Sequence, residues 1–357
     1  MFSQEIQNAV LLAVNGPSIK LSPFPVVFGP QKSYDKKTTK KGDPLMNSLN
    51  MAFQVVLPIF LLLSLGYLLR RAGLADEHTL AGCNTLVFRV FLPAVLFRNI
   101  YSADLGAAFD GRLMLYAAAA TLLTFLLLVL LIPLTEKDNR KRSAMIQGVY
   151  RTNFILFSIT ITDALYGPGQ GGVAALLVAV VIPLSNVLTV FIMEYYRSGR
   201  VKPRQLLAGM AGNPLILASL LGLLFLLTGW RLPNLLMKTL GDVGSVATPL
   251  ALIVLGGAFR FQGLRGSARP LAVCLLANLV LVPLVFLPPA AALGFRGPQM
   301  AALLALFASP SSVSCYAMAC EMGADGELAG RIVVLNSAAS VATLFLWIFA
   351  LTSLGLL

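Results

Sequence analysis

Apolar residues in this chain come in long unbroken blocks. No Asp, Glu, Lys or Arg interrupts 51–69, 113–135, 164–193, 205–230, 243–259, 270–295, 297–320 or 332–357. Roughly 20 apolar residues, wound as a helix, cross the hydrocarbon core of a bilayer. Backbone groups find no water there, so such blocks must be helices or a closed barrel. Barrel strands would alternate apolar and polar residues, and these blocks do not. Two less clean blocks join them: 79–98, which contains Arg89, and 144–166, which contains Arg151 and Asp163. The pattern therefore predicts an all-α polytopic membrane protein. Its ten transmembrane spans are expected at about 51–69, 79–98, 113–134, 144–166, 171–196, 206–228, 236–259, 270–293, 299–320 and 328–356.

Composition narrows the class further. Of 357 residues, 57% are hydrophobic and 12% charged, with mean hydropathy +0.82. That excludes disorder, a coiled coil and an ordinary water-soluble globule. The net charge of +12 suggests nucleic acid until its location is considered. Lys and Arg concentrate in short loops after odd-numbered spans: Arg70 and Arg71, Lys137 to Arg142, Arg197 to Arg204, and Arg260 to Arg269. Positive loops stay in the cytoplasm, so both termini are predicted outside a plasma or inner membrane. No nucleic-acid partner is expected. Residues 1–45 fit this scheme poorly, because Lys20, Lys32, Lys36, Lys37, Lys40 and Lys41 would lie outside. The patch from Ala9 to Val14 is too short for a signal-peptide core with a cleavage site. The segment reads as a disordered tail or a mis-assigned start.

The two halves of the chain repeat. An offset of 156 residues aligns Pro58 with Pro214, Gly66 with Gly222, Gly73 with Gly229, Pro93 with Pro249, Pro133 with Pro289 and Gly167 with Gly323. Gly and Pro mark kinks and close packing in membrane helices, so shared punctuation implies shared architecture. Repeats at 46–200 and 201–357 would each hold five spans. An odd number inserts the second copy upside down, the arrangement of secondary transporters whose site lies where interrupted helices meet.

Two spans carry the signs of interruption. The fourth contains Arg151-Thr152-Asn153 and then Ser158, Thr160, Thr162 and Asp163; the ninth contains Ser309-Pro310-Ser311-Ser312 and Ser314. Pro310 removes a backbone donor and frees a carbonyl one turn earlier. The hydroxyls can serve a ligand, or they can bond back to their own helices and hold neighbours together. Asn186 and Asn336 follow each broken span and can face the same crossing.

Catalysis finds little support. His78 is the one histidine, and no HExxH, P-loop, GxSxG or C-x-x-C pattern occurs. No cofactor and no metal are expected, and Cys83, Cys274, Cys315 and Cys320 read as small apolar residues.

Arg151-x-Asn153, Ala308-Ser309-Pro310, and Glu327-Leu328-Ala329 leading into Ile332 to Asn336 resemble the auxin efflux carrier (AEC) family of permeases. Gly66-Tyr67 through Gly73-Leu74, and Asn84 through Phe97, resemble its first two spans. The resemblance covers about 51–357. It implies two inverted five-helix repeats with broken, crossing spans 4 and 9. It further implies a scaffold from spans 1, 2, 6 and 7 and a mobile bundle from spans 3–5 and 8–10, and often a homodimer. The family's substrates are organic anions: auxin in plants, and dicarboxylates such as malonate and malate in bacteria. Ser158 and Thr160 stand where the family typically has Gly and Pro, which predicts a milder break in the fourth span.

Local chemistry agrees with an anion at the crossing. Half-helix N-termini offer N–H groups and a positive dipole end. Asn153, Ser158, Thr160, Ser309, Pro310, Ser311, Ser312, Ser314, Asn186 and Asn336 form the candidate substrate site. Arg89, Arg151 and Asp163 are candidates for charge or proton roles, because intramembrane charges are functional by default. Arg151 can instead reach headgroups, and Asp242 and Glu321 look like span-end charges. The expected function is a secondary or facilitative carrier of small organic anions. The alternatives are a cation/proton exchanger using Asp163, and a membrane sensor that moves no solute.

Overall fold

A computed structural model describes residues 44–103, 110–167, 172–198, 211–260, 262 and 265–357. The expected tail therefore lies almost wholly outside the described residues, as does the start of the sixth span. Nearly everything described is helical. The elements are α1 (Pro44–Arg71), α2 (Glu77–Tyr101), α3 (Gly111–Thr135), α4 (Asn139–Tyr150), α5 (Phe154–Tyr166) and α6 (Gly172–Ser198). They continue with α7 (Pro214–Thr228), α8 (Asn234–Ala258), α9 (Ala268–Ala292), α10 (Pro298–Ala308), α11 (Ser314–Glu321) and α12 (Gly326–Ser353). Among the described residues, six helices are long and apolar enough to cross a membrane: α2, α3, α6, α8, α9 and α12. Among the described residues there is no strand, only one isolated antiparallel bridge, between Thr152 and Ser311.

Short polar side chains start the helices. Asp76, Asp110, Asp138, Asn213 and Asp325 each accept a backbone N–H from the first turn of the following helix. These donors have no partner inside the helix, so an oxygen at the N-cap stabilises the end by about 1 kcal/mol. The hydroxyl and N–H of Thr79 hold Asp76 below the ordinary carboxylate range.

Prolines mark where helices change register. Proline cannot donate to the carbonyl four residues earlier, which must find another partner. Pro283 follows a π-helical turn at Ala277–Leu281, and the Leu279 carbonyl accepts the indole N–H of Trp347 at 3.0 Å. Pro93 follows a similar turn at Val87–Phe91. Its offset partner, Pro249, follows an interruption of α8 at Val246.

Small residues decide which helices touch. A methyl group on Gly66 of α1 would lie 1.9 Å from the Ile253 carbonyl oxygen of α8. One on Gly256 of α8 would lie 2.0 Å from the Leu63 carbonyl oxygen of α1. At Gly222 of α7 it would meet Ile100 of α2 at 3.0 Å, and at Gly244 of α8 the Val95 backbone of α2 at 3.1 Å. Glycine permits such backbone approach in apolar bundles, where packing rather than water exclusion drives association. The exposed surface is rich in leucine, including Leu130, Leu227 and Leu235, whereas Gln147, Asn186, Asn278 and Asn336 are fully buried. Polar groups turned inward and apolar ones outward suit a lipid solvent.

Candidate functional site

Two helices are broken, and the breaks lie against each other. α4 stops at Tyr150 and α5 starts at Phe154; α10 stops at Ala308 and α11 starts at Ser314. α4 begins at Asn139, five residues before the start expected from the apolar block, and Arg151 caps its C-terminus, in the break before α5. Between the breaks, the Asn153 N–H donates to the Pro310 carbonyl at 2.8 Å, and the Ser312 N–H donates to the Arg151 carbonyl at 2.9 Å. Two backbone donors that would be orphaned in an apolar interior are thereby satisfied.

Side chains complete the exchange. Pro310 cannot bond to the Leu306 carbonyl, and the Thr152 hydroxyl donates there at 2.7 Å. In return the Ser311 hydroxyl donates to the Gly148 carbonyl at the end of α4. Each break therefore caps the last turn of the other helix. Buried amides brace the pair from behind. Gln147 donates to the Cys315 carbonyl at 2.9 Å, Asn278 to the Val149 carbonyl at 2.6 Å, and Asn336 to Ser311 Oγ at 2.5 Å. Tyr150 donates to the Ser185 carbonyl at 3.1 Å and lies at 2.5 Å from the Thr189 hydroxyl.

A cavity of about 260 Å³ opens at this crossing. Its wall includes Asn153 with the first turn of α5, and Ser312, Val313 and Ser314 at the start of α11. Both half-helix N-termini thus reach one space, each carrying about half a positive charge. Arg151 lines the same wall and is 7% exposed. Its guanidinium reaches the Thr189 hydroxyl at 3.4 Å, and no carboxylate among the described residues pairs with it. A buried guanidinium beside two positive helix ends makes this wall of the cavity electropositive.

The cavity gathers Asn153, Ser312, Ser314, Asn186 and Arg151. Asn186 also bonds to Ser219 of α7 at 2.9 Å. Ser158, Thr160, Ser309, Pro310, Ser311 and Asn336 lie outside the lining. Thr160 bonds back to the Leu156 carbonyl at 2.9 Å. Ser158 and Ser309 are fully buried. Arg89 lines a different cavity, of about 420 Å³, with Arg197, Glu194, Asn213 and Glu321. The side chain of Asp163 lies outside the described residues.

Three contributors escape a sequence reading. Gln147 and Asn278 brace the crossing from α4 and α9; a lone amide in an apolar span is their only signal. Glu321 is more than a span-end charge, since it accepts from Thr85 Oγ1 at 2.7 Å and Asn84 Nδ2 at 3.4 Å, tying α11 to α2.

The family model described as membrane transport protein matches residues 51–348. The chain belongs to that family, the AEC permeases. This AEC permease is similar, at 25% identity over 296 residues, to an "Uncharacterized transporter" of Methanothermobacter thermautotrophicus, covering 82% of this chain and 96% of the relative. It is 24% identical over 304 residues to a "Putative malonate transporter" of Rhizobium meliloti, covering 81% of this chain and 92% of the relative. Family and relatives are transporters, so the permease is a multi-pass membrane transporter with a small-molecule substrate.

Proposed function

We propose that this AEC permease moves small organic anions by alternating access, holding them where the two broken helices cross. The observation that carries this reading is the cavity in which Arg151 and the N-termini of α5 and α11 converge. An anion there gains a charge-assisted bond and two helix dipoles in a medium of low dielectric. The relative from Rhizobium meliloti, by its name, points to a carboxylate as substrate.

The reading extends to the whole fold. Ten spans form two inverted five-helix repeats. α4 with α5 makes one broken span, and α10 with α11 its counterpart. α1, α2, α7 and α8, joined at Gly66, Gly222, Gly244 and Gly256, make the scaffold. The remaining helices move as an elevator, with both termini outside the plasma membrane. In support, the glycines that match at the 156-residue offset mediate matching contacts: Gly66 meets α8 and Gly222 meets α2.

Purified protein in proteoliposomes tests the site. Pro310→Ala restores an N–H that competes with Thr152 for the Leu306 carbonyl. Asn153→Ala removes a polar side chain from the cavity wall. Each should lower carboxylate flux by about tenfold, the scale of one hydrogen bond to a charged group, with normal insertion. Wild-type flux in both variants would sink this assignment. Motion of the bundle must also break the bonds between Glu321 and α2. Glu321→Ala should therefore shift the population away from the described conformation, read as altered labelling of cysteines placed along α2. Unchanged labelling would argue against the elevator.

A further inference from the structure

We infer that the cavity at the crossing selects monocarboxylates with a compact apolar body over dicarboxylates, an inference that rests on this crossing being the anion site. The cavity is chemically lopsided. Its charge-stabilising groups sit on the crossing wall: Arg151 and the starts of α5 and α11. Among the described residues, Arg151 is the only cationic side chain in the lining, with no lysine and no histidine beside it. The facing helices contribute chiefly apolar groups, among them Leu92, Val95 and Leu96 of α2, Val181 and Ile182 of α6, and Ala251 of α8. The polar groups on those helices, Asn99 of α2, Ser185 and Asn186 of α6 and Thr248 of α8, are all neutral.

One carboxylate fits this arrangement, because Arg151 neutralises it and the two helix ends add hydrogen-bond donors. A second carboxylate does not. It would either share the one guanidinium or face aliphatic and neutral polar groups that cannot neutralise its charge. The helix dipoles cannot make up the difference. An uncompensated buried ion is far more costly than the stabilisation a dipole end provides. An apolar body on the far side of the ligand instead removes hydrocarbon from water, which strengthens binding by about fourfold per methylene.

The test uses the purified full chain with a series of carboxylates: acetate, butyrate, hexanoate, phenylacetate, malonate and succinate. Binding is read by competition against a bound radiolabelled carboxylate, and transport by counterflow in proteoliposomes. Affinity should rise by about fourfold per methylene from acetate until the cavity fills. Succinate, which replaces the terminal methyl of butyrate by a carboxylate, should bind at least about tenfold more weakly than butyrate. Succinate or malonate binding as tightly as butyrate would overturn the selectivity inference and leave the anion-carrier reading standing. Binding and flux of none of the six would overturn both.

Discussion

Replacing Arg151 by leucine should weaken carboxylate binding by about ten- to a hundredfold and lower transport with it, while leaving the protein at least as stable as the wild type. The two halves of this expectation have one cause. Arg151 is buried, lines the cavity and has no carboxylate partner among the described residues. A buried charge without a counter-ion is costly to hold in the absence of ligand, so removing it relieves the empty protein. The same charge supplies the strongest interaction available to a bound anion. Hydrogen bonds to charged groups are worth about 1.5–3 kcal/mol, which corresponds to about ten- to a hundredfold in affinity. The backbone role of Arg151 survives the change, because its carbonyl still accepts the Ser312 N–H. Arg151→Lys should retain part of the affinity, since an ammonium keeps the charge but loses the planar fork. The readouts are equilibrium binding and thermal unfolding in detergent. A leucine variant that binds carboxylates normally, or that unfolds many degrees lower, would contradict this account.

Replacing Gly256 by valine should prevent recovery of folded protein, and Gly66→Val should do the same. Even the first carbon of a side chain at Gly256 would fall 2.0 Å from the Leu63 carbonyl oxygen, well inside van der Waals contact. Overpacking commonly costs about 1–3 kcal/mol where side chains can yield, but here the obstacle is backbone on both helices. α1 and α8 would have to separate, and no apolar gain between helices in lipid would offset that loss of packing. Gly82 of α2 is the matched control, because nothing lies within 4 Å of its added methyl. Gly82→Ala should be neutral or stabilising by about 0.5–1 kcal/mol, through the entropy of a helical glycine. Size-exclusion profiles and thermal stability of the three variants decide the matter. A monodisperse Gly256→Val protein with wild-type stability would show that this close approach is not needed.

The helices themselves were legible because lipid leaves the backbone few options. Uncharged blocks of about 20 residues must close their own hydrogen bonds, so α3, α9 and α12 fall within a few residues of their expected bounds. Pro310 was legible for the same reason: a missing N–H must leave an orphaned carbonyl somewhere. The partner of that carbonyl was not, because nothing in local sequence says that Thr152, more than 150 residues away, will donate to Leu306. Among the polar residues of the two broken spans, the hydroxyls of Thr160 and Ser311 have the same chemistry. One bonds to its own helix and the other caps a neighbour.

By itself, then, the sequence determined that the chain is a bundle of apolar helices, where two of them break, and which family it joins. These follow from the length of the apolar blocks, proline chemistry and motif, all of which are local in the chain. Only the tertiary structure decided that Arg151 is buried against a cavity, that Ser158, Thr160 and Asn336 stand outside that cavity, and that Glu321 ties α11 to α2. A side chain's direction depends on which helix packs beside it, and that depends on backbone contacts between residues far apart in the chain.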